Sequence, residues 1–208
     1  GSVQWLPLWA DKMAQEQSVT AARAEYAGRA DAGGAETQAR EAEIQGRAKE
    51  LKDNNAKAYT LITSALGAVV GCVLGGWFGG RIARRHGYSL LCLLSLLTCA
   101  WLFRGTSAYD GTFLILTFVV GGITAAFYGW FPLYLPELFP TRVRATGQGL
   151  AFNAGRIFAA AGALQMGWLM QQFDGDYGKA GGVITLVYGL GLVIIWFAPE
   201  TKGRALPE

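Results

Sequence analysis

Residues 58–80 read AYTLITSALGAVVGCVLGGWFGG, a stretch without a charged side chain. At a rise of about 1.5 Å per residue, roughly 20 such residues cross a hydrocarbon core about 30 Å thick. The run reads as a membrane-spanning helix, and the same reading applies to residues 90–103, 112–135, 150–171 and 181–197. Of the 208 residues, 52% are hydrophobic and 16% are charged, and the hydrophobic ones are bunched instead of alternating with polar ones, as a bilayer demands. The expected fold class is therefore all-α, a polytopic transmembrane helical bundle.

Upstream of this run the composition changes twice. Residues 1–10 are apolar and aromatic up to Trp9 and give way to Asp11-Lys12, which reads as the end of a truncated spanning helix with Trp at the interface. With no Met at the start, this opening points to a fragment cut upstream. Residues 11–56 are rich in Ala, Glu, Arg, Gln and Lys and read as a charged helical insert outside the membrane. Within it Glu25 and Arg29, Glu36 and Arg40, and Glu43 and Arg47 stand in the acid-first, four-apart order that supports an exposed helix. Gly33-Gly34 divides the insert into two helices, packed or splayed. A solvated spacer and a partner-binding device both fit such a charged surface.

Basic residues fall on alternate loops: Arg81, Arg84 and Arg85, then Arg142 and Arg144, then Lys202 and Arg204. The positive-inside rule places these loops and the C-terminal tail in the cytoplasm, with the insert and the Asp174 loop outside. The net charge of +3 is small and scattered, so nucleic acid is not an expected partner. Cys72, Cys92 and Cys99 lie inside apolar runs without metal-site or redox spacing, and His86 is the single histidine. These features point away from enzymatic chemistry, metals and cofactors. His86 itself reads as a loop residue facing water.

Three motifs carry the functional reading. Gly67, Gly71, Gly75 and Gly79 recur every fourth residue and leave one face of the 58–80 helix open to close backbone approach. A sliding contact and static helix packing both suit that stripe. The next loop reads Gly80-Arg81-Ile82-Ala83-Arg84-Arg85-His86-Gly87-Tyr88. Farther on, Tyr134-Leu135-Pro136-Glu137-Leu138-Phe139-Pro140-Thr141-Arg142-Val143-Arg144 sets a carboxylate and a guanidinium seven residues apart across a proline, Glu137 and Arg144, a spacing that can close a charged clasp at a helix end. An interfacial ion pair without a gating role is the plainer reading. After the last span the chain reads Pro199-Glu200-Thr201-Lys202-Gly203-Arg204.

Together these stretches resemble the major facilitator superfamily, in its sugar porter and metabolite (organic acid):proton symporter branch. Arg85 and Gly87 match the Asp-Arg-x-Gly-Arg-Arg loop between the family's eighth and ninth helices. Arg84 stands at the usual Asp, and Tyr88-Ser89 replace the Arg pair. The Glu137 segment is similar to the Glu-x6-Arg motif that holds the family's inner gate, and Pro199 to Gly203 match the sugar-porter tail letter for letter. The resemblance implies the end of helix 7 in residues 1–10 and helices 8 to 12 with a cytoplasmic tail in residues 57–208; the insert at 11–56 is not covered. It also implies a cytoplasmic gate drawn from Arg84, Arg85, Gly87, Glu137, Arg142, Arg144 and Glu200.

Arg156 lies about 13 Å along its helix from Gly147, where a cation cannot face lipid cheaply. A buried pair with Glu137 and a contact to a carboxylate substrate are both open to it. Asn153 shares its face. On the 112–135 helix, Phe127, Tyr128 and Trp130 stand near Pro132 and Pro136, where a helix can bend or unwind beside a cavity. The family places an aromatic on this helix by its site, and core packing suits each one singly. Gln4 and Trp5 are candidates for the same path from the truncated helix. The expectation is a secondary transporter in the plasma or inner membrane, moving an organic acid, sugar acid or sugar by alternating access against an N-terminal half, with protons as possible co-substrate. The alternative is a transporter-derived receptor or scaffold whose insert binds a protein.

Overall fold

A computed structural model describes residues 2–27 and 34–207, and among these every regular element is helical. After a short 3-10 turn at Ser2–Trp5 come α1 (Leu6–Tyr26), α2 (Gly34–Leu51), α3 (Ala56–Arg81), α4 (Arg84–Gly105), α5 (Gly111–Leu138), α6 (Arg144–Gln172), α7 (Tyr177–Thr185) and α8 (Val187–Ile194), with a closing 3-10 turn at Ile195–Phe197. Among the described residues, four stretches are long and apolar enough to cross a membrane: Ala39–Arg81, whose apolar length is α3, then Arg84–Gly105, Gly111–Leu138 and Tyr177–Phe197. The last is α7 and α8 joined through a turn at Leu186. The remaining expected span forms as α6, 29 residues long but interspersed with Gly, Gln, Asn and Arg, and it is not among these four.

The centre of the bundle is the α3–α5 pair. A Cβ on Gly67, Gly71 or Gly75 would come within 3 Å of the backbone of Phe118, Gly122 or Ala126, and α5 answers with Gly121 against Ser64 and Gly129 against Cys72. The glycine stripe thus sets two backbones against each other, which brings many atoms into dispersion contact where lipid offers no hydrophobic drive. Gly79 ends the stripe against the side chains of Leu133 and Trp130. α5 continues as helix through Pro132 and Pro136, so the unwinding those residues permit is not adopted; each removes one backbone donor while its neighbours keep the ladder.

At one end of the pair, Leu6, Trp9 and Met13 of α1 pack with Leu102 and Phe103 of α4 and Phe113 of α5. Trp9 stacks on Phe103 at 5.4 Å and meets Phe113 edge-on at 5.6 Å. The composition changes at Asp11, but the backbone does not: α1 runs on to Tyr26, because Asp11 and Lys12 find partners off the helix, Lys52 at 2.9 Å and the carbonyl of Gly175 at 2.7 Å. α1 and α2 pack as a hairpin around Ala22, Ile44 and Ala48. Its charges bridge the two helices, Arg23 to Glu41 and Arg47 to Glu25, both at 3.0 Å. Arg47 turns to Glu25 and Glu50 instead of the expected Glu43. The expected Glu25–Arg29 and Glu36–Arg40 pairs lie outside the described residues.

Candidate functional site

At the opposite end, the chain ends of α3, α4 and α5 meet the tail. Arg84 opens α4 and is 7% exposed. Its Nη2 donates to Glu137 Oε1 at 2.6 Å and its Nε to Oε2 at 2.9 Å, while Nη1 donates to the carbonyl of Gly79 at the end of α3. A planar fork matched to a carboxylate is the strongest form of such a pair. Glu137 also accepts from the Thr201 hydroxyl at 2.6 Å. Arg84 therefore ties the C-terminus of α3, the N-terminus of α4 and the last turn of α5 together.

The tail closes the same cluster. Ala83, the N-cap of α4, offers no side-chain cap, leaving the first N–H groups of the helix without intrahelical partners. Glu200 supplies the cap from 116 residues away: its carboxylate accepts from the backbone N–H of Arg84 at 2.9 Å and of Arg85 at 3.0 Å. Burial pushes the Glu200 carboxyl up, but the N–H groups of Arg85, Arg84 and Lys202 and the charge of Arg85 outweigh it, and its pKa lies below the ordinary glutamate value. Arg85 Nε donates to the Ala198 carbonyl at 2.7 Å, and the Tyr134 hydroxyl to that of Pro199 at 2.8 Å. Lys202 Nζ donates to the carbonyl of Arg81.

The expected partner of Glu137 is corrected by this geometry. Arg144 does not meet it: the turn after Pro140 carries the guanidinium over the open carbonyls at the end of α5, Pro136 at 3.1 Å and Phe139 at 3.2 Å, and onto Pro207 at 3.1 Å. It caps a helix end instead of closing a clasp. Arg142 is exposed and makes no hydrogen bond or ion pair with a described residue. Gly87 is buried, and a Cβ there would stand 3.4 Å from Trp130 Nε1. His86 is exposed, edge-on to Trp196 at 5.4 Å.

Arg156 lies elsewhere. Both oxygens of Glu137 are occupied, and Arg156 lines a cavity of about 350 Å³ between α4, α5, α6 and α8. Phe127 and Tyr128 line it as well, with Tyr88, Phe152 and Tyr188. Tyr88 meets Phe127 at 5.2 Å, Phe127 stacks on Tyr188 at 6.2 Å, and Tyr128 meets Phe152 at 6.4 Å. Among its lining residues Arg156 is the single charged one, and it has no hydrogen bond or ion pair with a described residue. Such a cavity combines an exposed cation at its wall with aromatic faces, groups that suit a small anion with an apolar body.

The other path candidates divide. Trp5 lines an adjoining cavity of about 890 Å³ that shares Gly155, Ala159, Val187 and Tyr188 with the first. Gln4 is exposed in the opening 3-10 turn. Asn153 donates back to the Gly149 carbonyl at 2.8 Å and does not line the Arg156 cavity. Trp130 is 1% exposed, in the core with Tyr134 and Ile195. Sequence reasoning missed Tyr88 and Tyr188 as cavity residues and Tyr134 and Thr201 as clasp residues. Tyr88 was visible as a departure from the motif's Arg pair; the others carried no local signal.

The profile of the family described as "Sugar (and other) transporter" matches residues 87–208. The chain is 32% identical over 154 residues to a "Probable 4-methylmuconolactone transporter" of Cupriavidus pinatubonensis, covering 71% of this chain and 34% of that one. It is 25% identical over 155 residues to an inner membrane metabolite transport protein of Escherichia coli, covering 73% and 35%. It is 26% identical over 151 residues to a carboxylic acid transporter protein homolog of Saccharomyces cerevisiae, covering 72% and 24%. The chain thus spans about a third of the length of the first two of these relatives and about a quarter of the third. No solved structure matches.

Proposed function

The chain belongs to the sugar (and other) transporter family, and from that premise we propose that it is part of a secondary transporter that moves a small carboxylate across a membrane. One observation carries the choice of solute: among the described residues Arg156 has no acidic partner, and it lines an aromatic cavity. A carboxylate supplies the missing charge, and the rings supply apolar contact for the body of the solute. The name of one relative, for carboxylic acids, leans the same way. A sugar acid fits the same scheme; a neutral sugar would leave the cation unmatched.

In this reading α3 to α8 rock as one body against a second half of the fold, and the solute sits between them. The clasp of Arg84, Arg85, Glu137 and Glu200 lies at the cytoplasmic end and keeps that body rigid, with the α1–α2 hairpin outside the membrane. Protons drive uptake if the second half carries the coupling carboxylate. Equilibrium binding of radiolabelled benzoate, a hexuronate and glucose to the full-length protein in detergent tests the solute class. Arg156→Gln is expected to weaken carboxylate binding by about 2 kcal/mol, roughly thirtyfold. Glucose binding equal to or tighter than that of both anions, unchanged in the variant, contradicts the reading.

A further inference from the structure

A second concavity lies on the other side of the α3–α5 pair, walled by exposed apolar side chains. α3 and α4 are consecutive yet diverge from their shared turn, leaving a groove of about 310 Å³ floored by α5. Its walls include Val70, Leu74 and Phe78 of α3 and Leu90 and Leu94 of α4, all of them more than a third exposed. Along α3 the groove runs from Gly67 to Ile82, about 22 Å of helix at 1.5 Å per residue. One leaflet of the hydrocarbon core is about 15 Å deep, so the groove is long enough to seat one extended acyl chain.

Two features at the Ile82 end are not apolar. Trp130 lines the groove there, and its indole N–H is buried without a hydrogen-bond partner while the side chain as a whole is 1% exposed. An orphaned buried donor costs about 1–3 kcal/mol, which an acceptor on a bound molecule would offset. Arg81, one turn beyond Phe78 on α3, is exposed with its guanidinium 3.8 Å from the centre of the Trp77 ring. Lys202 is anchored to the Arg81 carbonyl, bringing a second cation to the same end. Arg84 beside them is consumed by Glu137, whereas Arg81 is held only by its own helix, its Nη1 donating to the Trp77 carbonyl at 3.4 Å, and stays exposed to meet a phosphate.

We propose that this groove is a binding site for an anionic phospholipid, with one acyl chain along α3 and α4, an ester carbonyl accepting from the Trp130 indole, and the headgroup phosphate on Arg81. The site is distinct from the Arg156 cavity and does not depend on what that cavity carries. Native mass spectrometry of the full-length protein, titrated with dioleoylphosphatidylglycerol or dioleoylphosphatidylcholine, tests it. One phosphatidylglycerol per chain is retained in preference to phosphatidylcholine. Arg81→Gln lowers that retention about fivefold and removes the preference. Leu94→Trp, which fills the groove from its exposed rim and leaves the α3–α5 contact untouched, lowers retention of both lipids. Equal retention of the two lipids by the unaltered protein, or full retention by Leu94→Trp, overturns the proposal. So does a change in the monomer–dimer ratio of Leu94→Trp with lipid adducts unaltered, which would assign the groove to a second copy of the chain.

Discussion

Arg84 and Glu137 show what a single side chain can decide. The Arg84 side chain is 9% exposed and that of Glu137 17%, so the pair sits largely out of water and depends on both members being present. Arg84→Met leaves a carboxylate facing only Thr201 and is expected to cost about 3–5 kcal/mol. The Arg84→Met/Glu137→Gln double variant, which buries no charge, should recover part of that loss. Thermal unfolding of the full-length protein in detergent measures both, and a double variant no more stable than Arg84→Met contradicts the pairing. Both residues were visible in the sequence as charges at the ends of apolar runs. Their partnership was not: a seven-residue spacing pointed to Arg144, whereas the true partner lies 53 positions upstream and is brought near by the packing of α3 and α4 on α5. Arg156 was legible for the opposite reason, because a cation in the middle of a spanning helix is conspicuous wherever its neighbours fall.

Among the elements, α3 and α5 were the most readable, since the every-fourth glycine states which face is open to another backbone. The identity of the partner helix was hidden, because α5 offers an irregular set of small residues, Gly121, Gly122, Ala126 and Gly129, that no simple period reveals. The packing makes a paired prediction. Gly71→Ala places a methyl within 3 Å of the Gly122 backbone, which cannot yield as a side chain does, and should destabilise by about 1–3 kcal/mol. Gly80→Ala, four positions from Gly76 on the same helix, has nothing within 4 Å and should be neutral or stabilising by up to about 1 kcal/mol. Parallel melting curves of the two variants check this, and equal losses in both would show that the stripe is not in contact. The continuity of α1 was not legible at the element scale: the composition changes at Asp11 and Lys12, yet the helix runs on to Tyr26 because their charged side chains find partners.

For the whole molecule, three segments remote in sequence converge on one cluster, and the tail residue Glu200 caps a helix that begins at Arg84. The sequence named the segments through family resemblance; it held no sign that the tail serves as a cap, because capping in trans leaves no local spacing. The lowered Glu200 pKa fixes the sign of a pH effect. A carboxylate whose folded-state pKa is depressed adds stability that is present above its unfolded pKa and lost as the pH falls through its folded value. Stability of the wild-type protein should therefore exceed that of Glu200→Gln at neutral pH, with the gap closing once the pH falls below the unperturbed 4.5. A gap that persists in strong acid would assign the effect to packing and not to charge.

Uptake by the full-length protein in proteoliposomes decides which solute passes through the membrane. Radiolabelled carboxylates and glucose are compared in wild type, Arg156→Gln and Arg81→Gln, with and without an inward proton gradient. Saturable carboxylate uptake that Arg156→Gln abolishes and Arg81→Gln retains, with little glucose entry, is the expected result. Carboxylate uptake undiminished in Arg156→Gln, or uptake of neither class, would contradict it.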